Sequence, residues 1–132
     1  MTVVLDACAV LAYLNDEEGA DLVEDILANE TCYMHSVNIC EVFYNVNSAR
    51  GPERADEALK WLLDTVGIRR VAEDDAEVIR SAGLAKCALR IALADCFCIA
   101  VARRLSASVV TADRAEFGKA LAVGQCEVRF IR

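Results

Sequence analysis

Short apolar runs along the chain alternate with longer stretches in which apolar side chains recur every three or four residues. Short β-branched runs are typical of strands buried on both faces, and the longer spacing is typical of helices with one buried face. The pattern predicts strands at 2–5, 31–35, 67–71, 108–111 and 126–131. It predicts helices at 8–14, 20–29, 37–48, 53–65, 74–86, 92–105 and 114–121. This alternation predicts an α/β fold, a three-layer α/β/α sandwich around a mostly parallel sheet of four or five strands.

The helix predicted at 92–105 differs from the others because it is apolar nearly all round. Such a helix is expected to be buried at the centre of the molecule. Asp95 falls in its first turn, where the helix dipole favours an acid. A charged side chain in so apolar a helix is explained either by that position or by a bound cation. The strand at 67–71 holds two arginines, which predicts a place near the edge of the sheet.

Local signals set several of the predicted boundaries. Ser36 is expected to cap the helix at 37–48, and Pro52 is placed to open the helix at 53–65. Glu73, Asp74 and Asp75 put negative charge at the start of the helix at 74–86. Residues 87–90 are expected to form the connection to the next helix.

Four acidic residues occupy corresponding places in these predicted elements. Asp6 and Asp113 each come at or just after the end of a short buried strand. Glu41 lies early in a helix that follows a strand, and Asp95 lies at the start of the apolar helix. In a parallel sheet these positions all face the carboxyl edge, where ligands bind in open α/β folds. Each residue alone also has an ordinary interpretation, with Asp6 as a helix cap and Glu41 as a solvated surface side chain.

Carboxylates brought together from four distant segments repel one another unless they are protonated or neutralised by a cation. A cluster of oxygen ligands without nearby His or Cys ligands favours hard cations such as Mg²⁺ or Mn²⁺. Such ions activate water and stabilise the charge that develops when a phosphodiester is cleaved. The four acids therefore predict metal-assisted hydrolysis.

Composition limits the classes of protein that fit. At 132 residues and 56% hydrophobic the chain is expected to form one globular domain, residues 1–132. The net charge of −7 argues against a surface coated with basic side chains for nonspecific binding of nucleic acid. The chain has seven cysteines, and no two of them form a CxxC pair. The odd number favours a reducing compartment over a disulfide framework, and the missing CxxC pairs argue against a structural zinc site. With no basic leader and no apolar run near the length of a membrane helix, a cytoplasmic location is expected.

The chain resembles the PIN-domain family, and within it the small single-domain ribonucleases that serve as VapC-type toxins. The resemblance runs over nearly the whole chain. Each matching segment is weakly specific alone, but their order and spacing together are specific. The segments are Val4-Leu5-Asp6-Ala7-Cys8-Ala9-Val10-Leu11, Ser36-Val37-Asn38-Ile39-Cys40-Glu41-Val42, Leu93-Ala94-Asp95-Cys96, and Val110-Thr111-Ala112-Asp113 with Phe117.

The resemblance implies an endoribonuclease that depends on Mg²⁺ or Mn²⁺. Asp6, Glu41, Asp95 and Asp113 would form its acidic quartet. By this likeness Asp6 and Asp95 would be the most direct metal ligands, and Glu41 and Asp113 would complete the site directly or through water. The resemblance also implies an RNA substrate, a homodimer, and a small antitoxin protein that covers the cleft.

Other residues of the site region carry weaker expectations. Thr111 would hold Asp113 or a metal-bound water by hydrogen bonding. Glu116 is either a fifth acid of the site or a solvated helix residue. Ala92 departs from the small hydroxyl residue that many family members have before the central acid. His35 ends a strand, but a metal-activated water needs no histidine as general base. The candidates for contacts with the RNA backbone, each also explicable as a solvated charge, are Arg50, Lys86, Arg90, Arg103 and Arg104.

Two other functions compete with RNA cleavage. One is a non-catalytic module of the same fold that binds RNA or protein, although the complete set of acids argues against it. The other is a phosphatase with Asp6 as nucleophile. That chemistry usually requires a second Asp two residues later, where this chain has Cys8.

Overall fold

A five-stranded parallel sheet forms the centre of the computed structural model, which describes residues 1–72 and 75–132. The strands lie in the order β3-β2-β1-β4-β5, and each neighbouring pair is parallel. Their bounds are Thr2–Leu5 (β1), Thr31–His35 (β2), Arg69–Val71 (β3), Ser108–Thr111 (β4) and Val128–Phe130 (β5). The arginine-containing strand β3 lies at one edge, as its composition predicts.

Helices make up most of the rest of the described chain. Their bounds are Ala7–Leu14 (α1), Ala20–Asn29 (α2), Ser36–Arg50 (α3), Pro52–Lys60 (α4), Ala76–Leu89 (α5), Leu93–Leu105 (α6) and Arg114–Ala122 (α7). A π-helical segment, Trp61–Thr65, continues directly from α4. None of the helices in the described ranges is long and apolar enough to cross a membrane.

Two apolar clusters pack against opposite faces of the sheet. Alternate side chains of β1 enter different clusters, with Val3 and Leu5 in one and Val4 in the other. The first cluster joins the sheet to α1, α2 and α3, and the second joins it to α5, α6 and α7. Because successive side chains of a strand point to opposite faces, this split gives three layers. The predicted α/β/α sandwich is confirmed, with a sheet that is fully parallel among the described strands.

Strand β1 lies at the middle of the sheet, between β2 and β4. Its residues Val3, Val4 and Leu5 are fully buried, as are Val109 and Val110 of β4. Helix α6 is also buried in its middle, from Cys98 to Ala102. These are the elements that precede or carry Asp6, Asp95 and Asp113, so the acids are attached to the most tightly packed part of the molecule.

Several local predictions differ from the structure. The helix predicted at 53–65 is interrupted, because α4 ends at Lys60 and the π-helical segment follows. Helix α5 continues through Leu89, so the connection predicted at 87–90 is reduced to a left-handed Arg90 and the residues after it. Asp75 caps α5 with its side chain. The charges predicted for Glu73 and Asp74 lie outside the described residues.

The N-terminus of α3 is capped by a different residue from the one predicted. His35, not Ser36, is the cap, and its Nδ1 accepts a hydrogen bond from the Val37 N–H at 3.0 Å. Ser36 instead donates its hydroxyl to the carbonyl oxygen of Val71 at 3.2 Å. The sequence favours Ser as a cap, but Ser36 lies beside β3 and bonds to that strand.

Candidate metal centre

Asp6 is the most deeply buried of the four acids, with 1% of its surface exposed. It follows the last residue of β1 and caps α1, since its Oδ1 accepts the Ala9 N–H at 2.9 Å. Its Oδ2 accepts the Thr111 hydroxyl at 2.6 Å. Burial raises the pKa of Asp6 to about 7, although both hydrogen bonds favour the charged form, and the charges of Glu41 and Asp113 raise it further. The expected capping role is therefore real, and it coexists with a strongly perturbed carboxyl group.

Asp113 is tied to Asp6 through Thr111. The Thr111 hydroxyl that donates to Asp6 also accepts the backbone N–H of Asp113 at 2.9 Å. Asp113 then caps α7, because its Oδ1 accepts the Glu116 N–H at 3.0 Å. Since β1 and β4 are parallel neighbours, the two acids that follow them lie at the same edge of the sheet.

Asp95 occupies the first turn of α6, as predicted, and is partly buried. Burial raises the pKa of Asp95 to about 7, and the negative charges of Asp6, Glu41 and Asp113 add to the effect. Ala92 precedes the helix as its N-cap and makes no side-chain hydrogen bond. The acid is thus held in a low-dielectric environment beside other carboxylates, which is costly in the absence of a compensating charge.

Glu41 lies in the second turn of α3 and is partly buried, and burial raises its pKa. Its helix is fixed to the helix of Asp95 by Asn38, one turn earlier. Asn38 is fully buried, and its Nδ2 donates to the carbonyl oxygen of Ala94 at 3.0 Å. Asn38 belongs to a quoted motif, but sequence reasoning gave it no role. The sequence signal for this role is the position of Asn38, one helical turn before the candidate ligand Glu41.

The charges of all four acids act on Cys8. Burial raises the pKa of its thiol to about 12, and Asp6, Asp113, Glu41 and Asp95 all act on it in the same direction. The thiol therefore lies within the electrostatic reach of all four carboxylates. Nothing in the sequence places Cys8 among the acids, because Glu41, Asp95 and Asp113 come from distant segments.

Glu116 is directed toward the same region. It contributes negative charge at Asp95, and its Oε2 is buried without a hydrogen-bond partner among the described residues. A solvated helix position, which the sequence leaves open, does not fit a buried oxygen. An unpaired carboxylate oxygen beside other acids is the kind of ligand that a cation satisfies.

The donor set fits a hard divalent cation in chemistry and in charge. It consists of carboxylate oxygens at one edge of the sheet. The nearby thiol of Cys8 has a raised pKa, so it stays protonated and is not a ligand. No three His, Cys, Asp or Glu side chains of the described residues form a ready-made set of ligands, however. Carboxylates repel one another, so their approach to ligating distance requires the charge of the cation itself.

Comparison with known proteins identifies the family. The family model described as "PIN domain" matches residues 3–120. The chain belongs to the PIN-domain family. No curated protein matches this PIN domain by sequence.

Solved structures of other proteins share the fold of this PIN domain at low identity. VapBC2 from Rickettsia felis, bound to a promoter DNA fragment, gives a TM-score of 0.75 at 18% identity, covering 98% of each chain. DNA-bound VapBC from Salmonella typhimurium gives 0.77 at 14% identity, covering 100% of this chain and 99% of the other. VapC20 from Mycobacterium tuberculosis, a toxin that cleaves the sarcin–ricin loop, gives 0.70 at 12% identity, covering 88% and 93%. At these identities the likeness establishes the fold.

His35, the one histidine of this PIN domain, has a structural role. It is fully buried, caps α3 through Nδ1, and stacks on Phe97 with ring centroids 4.5 Å apart. Because Nδ1 accepts a hydrogen bond, the ring is held in one tautomer.

The basic residues proposed for backbone contacts are mostly engaged within the molecule. Arg104 pairs with Asp75, Arg103 donates to Gln125, and Lys86 donates to the carbonyl oxygen of Ile91. Arg90 ends α5 in a left-handed conformation. Arg50 is exposed and has only one long hydrogen bond, to Asn15 at 3.4 Å.

Proposed function

We propose that this PIN domain is an endoribonuclease that requires Mg²⁺ or Mn²⁺ and cleaves RNA phosphodiesters with water. The observation that carries the proposal is the placement of four acids together. Thr111 joins Asp6 to Asp113 at one edge of the sheet. Asn38 joins the helix of Glu41 to that of Asp95. These acids come from four separate segments. Asp6 and Asp113 also cap helices, but the mutual repulsion of four neighbouring charges is unfavourable without a cation. A metal-dependent hydrolytic site explains why the fold brings them together.

Asp6 and Asp95 would be the most direct ligands of the cation, with Glu41 and Asp113 completing the site directly or through water. When bound, the cation supplies an activated water and stabilises the negative charge that develops on the phosphate. Glu116, with its unpaired buried oxygen, joins the same negatively charged region. The five carboxylates thereby set a strong preference for a hard cation.

The chain itself supplies orientation. Thr111 and the Ala9 N–H hold both oxygens of Asp6, so this carboxylate keeps one rotamer. Asp113 is held in turn by its capping bond to α7. Asn38 fixes the helix of Glu41 to the start of the helix of Asp95. These bonds hold the carboxylates of Asp6 and Asp113 and join the helices that carry Glu41 and Asp95, which contributes to the preorganisation that a hydrolytic site requires.

The biological setting that we propose is a toxin–antitoxin pair in the cytoplasm. Support comes from the fold neighbours, whose structures include VapBC toxin–antitoxin assemblies and a toxin that cleaves RNA. A small antitoxin protein would cover the acidic cleft and block substrate. In this setting the RNA substrate and the antitoxin compete for one surface.

We further propose a homodimer. Large apolar side chains remain exposed on α3, α5 and α6, where they are available to a second copy. They are Tyr44, Ile79, Leu84 and Leu93, with 54%, 47%, 55% and 53% of their surfaces exposed. Sedimentation at several protein concentrations tests this, and Leu84→Glu is expected to shift the protein toward the monomer.

The alternative is a non-catalytic module that binds RNA or protein. The observation in its favour is that the carboxylates of the described residues do not already form a set of metal ligands. Titration calorimetry with Mn²⁺ separates the two functions. Binding of Mn²⁺ that is lost in Asp95→Asn favours the nuclease, and the absence of any binding favours the module.

The deciding experiment is cleavage of a panel of labelled RNAs, structured and unstructured, with Mn²⁺ or Mg²⁺ and with EDTA. Wild type is compared with Asp95→Asn and with Asp56→Asn, a matched change of an exposed residue on α4. We expect cleavage by wild type and Asp56→Asn only in the presence of metal, and none by Asp95→Asn. Full cleavage by pure Asp95→Asn would refute the proposal.

A further inference from the structure

A groove away from the acidic cluster combines aromatic and basic side chains. Tyr13, in the last turn of α1, stacks against Trp61, with ring centroids 5.4 Å apart and planes inclined by 18°. Both rings are partly buried and line a groove of about 510 Å³, together with Arg50 and Arg54. Trp61 is also the residue at which α4 changes into the π-helical segment, a feature that recurs at functional sites.

The two arginines of this groove, Arg50 and Arg54, are exposed and available to a ligand. No salt bridge within the described residues involves either of them, and Arg50 has only its long hydrogen bond to Asn15. By contrast, Arg103 and Arg104 are held by partners on their own chain. On a protein of net charge −7, two unpaired guanidinium groups beside stacked aromatic rings indicate an anionic, aromatic ligand.

The groove is connected to the acidic cluster by two helices. Helix α1 begins next to Asp6 and carries Tyr13 seven residues later, about 10 Å along the helix axis. Helix α3 carries both Glu41 and, nine residues later, Arg50, about 14 Å further on. Because α1 and α3 contact one another, the groove and the acids lie toward opposite ends of one helix pair, with Arg50 about half a turn around α3 from Glu41. A short single strand of RNA is long enough to reach both.

We propose that the groove of Tyr13, Trp61, Arg50 and Arg54 is a binding subsite for single-stranded RNA, in which a base stacks on the aromatic pair and the arginines contact the flanking phosphates. The inference rests on the proposed function, since it assigns the second contact of the same substrate. Aromatic side chains that stack bases, with arginine on the backbone, are the usual means of holding single strands without reading sequence.

The groove is also lined by apolar side chains, which are those of Leu14, Val46 and Ala58. Its two unpaired guanidinium groups are what favour RNA over a protein partner as its occupant. A single strand supplies phosphates and aromatic bases at regular intervals, which matches the two arginines and the two rings. Glu57 also lines the groove and would repel a phosphate placed directly beside it, so the phosphates are expected on the side of Arg50. This places the phosphates at the end of α3, the helix that also carries Glu41.

Trp61 is the chain's one tryptophan, so its fluorescence reports on the groove alone. The first experiment titrates the protein with a ten-nucleotide oligouridylate in EDTA, which prevents metal-dependent cleavage. We expect saturable quenching of the tryptophan emission as a base stacks on the indole. The second experiment measures anisotropy of the same oligonucleotide carrying a 5′ fluorophore, so that variants at Trp61 are also measurable.

The variants separate the groove from general electrostatics. Arg50→Ala and Arg54→Ala are each expected to weaken binding about tenfold and to reduce the salt dependence by roughly 0.7 per lost phosphate contact. Arg80→Ala, at an exposed arginine on α5, is the matched control and is expected to bind like wild type. Trp61→Phe is expected to retain binding, and Trp61→Ala to lose it about tenfold.

Two results would overturn the inference. The first is an absence of quenching, or equal binding by the Arg50, Arg54 and Arg80 variants. The second is that the Arg50 and Arg54 variants bind RNA normally but no longer bind a purified antitoxin. That result would make the groove a protein-docking site. If no assay shows metal-dependent cleavage, the proposed nuclease function is refuted, but RNA binding in the groove is still supported. If cleavage requires Asp95 but not Arg50 or Arg54, the nuclease function is supported and the subsite is refuted.

Discussion

The Thr111 hydroxyl donates a 2.6 Å hydrogen bond to Oδ2 of Asp6, although the two residues are 105 positions apart in the chain. Both residues are buried at the carboxyl edge of the sheet, with Thr111 at the end of β4 and Asp6 just after β1. The same hydroxyl accepts the Asp113 N–H. One side chain therefore sets the positions of two of the four acids.

Replacing Thr111 with Val is expected to reduce the free energy of unfolding by about 1–3 kcal/mol, because a buried carboxyl and a backbone N–H both lose their partner. Thr111→Ser keeps the hydroxyl and is expected to recover most of the bond while losing a methyl group. Urea denaturation of both variants in EDTA measures the difference. Equal stability of Thr111→Val and wild type would contradict this account.

Stability without metal is expected to depend on pH through Asp6 and Asp95, whose pKa values are both raised to about 7 by burial and neighbouring charge. Their folded-state pKa values lie above the unfolded value of 3.8, so the folded state binds more protons between about pH 4 and pH 7. Their contribution is complete below about pH 4 and is lost as the pH rises through 7.

The measurement is the unfolding free energy of wild type and Asp95→Asn in EDTA from pH 4.5 to 8. Carboxyl groups outside the acidic cluster titrate alike in both proteins, so the difference reports on Asp95 and on its coupling to the neighbouring acids. We expect the variant to gain stability relative to wild type as the pH rises. A difference that does not change with pH would show that Asp95 has no raised pKa.

Divalent cations are expected to restore the stability that Asp6 and Asp95 lose at high pH. Ligating carboxylates must be deprotonated, so cation binding competes with protons at Asp6 and Asp95. Mn²⁺ is therefore expected to raise the melting temperature more at pH 8 than at pH 5, and to raise it little in Asp95→Asn. A scan with Ca²⁺ and Mg²⁺ beside Mn²⁺ tests whether the effect belongs to hard cations in general.

The bond from Asn38 to the Ala94 carbonyl joins α3 to the start of α6, and Asn38 is fully buried. Asn38→Ala is expected to lower the free energy of unfolding by about 1–3 kcal/mol, since a buried carbonyl loses its donor. Asn29→Ala, at an exposed asparagine bonded to Asp25 within α2, is the control and is expected to change stability by about 0.5 kcal/mol or less. Metal affinity should also fall in Asn38→Ala alone, because Glu41 and Asp95 lose their common support.

Thiol reactivity offers a chemical test of the acidic cluster. The pKa of Cys8 is raised to about 12, whereas Cys40 and Cys87 are exposed. Because the thiolate is the nucleophile, alkylation of Cys8 at pH 8 is expected to be at least about 100-fold slower than that of either exposed cysteine. Peptide mass spectrometry after timed iodoacetamide treatment gives the rates. Asp95→Asn is expected to speed the reaction at Cys8, and similar rates at all three cysteines would contradict the assigned environment.

The sequence determined the elements and the edge of the sheet at which the acids lie. Short β-branched runs predicted β1 and β4 at their observed places, and the short run from Thr31 to His35 predicted β2. Because parallel strands end at one edge of the sheet, the places of Asp6 and Asp113 after two such strands predicted that the two acids lie close together. The apolar pattern of α6 likewise predicted both its burial and the unusual place of Asp95.

The side chains that hold those acids, and the basic residues that remain free, follow from packing between distant segments. The bond from Thr111 to Asp6, the bond from Asn38 to Ala94, and the place of Cys8 among four carboxylates join segments far apart in the chain. The stacking of Tyr13 on Trp61 beside Arg50 is of the same kind. Local patterns record what each segment prefers by itself. Hydrogen bonds, burial and charge between segments depend on distances that exist only after the chain has packed.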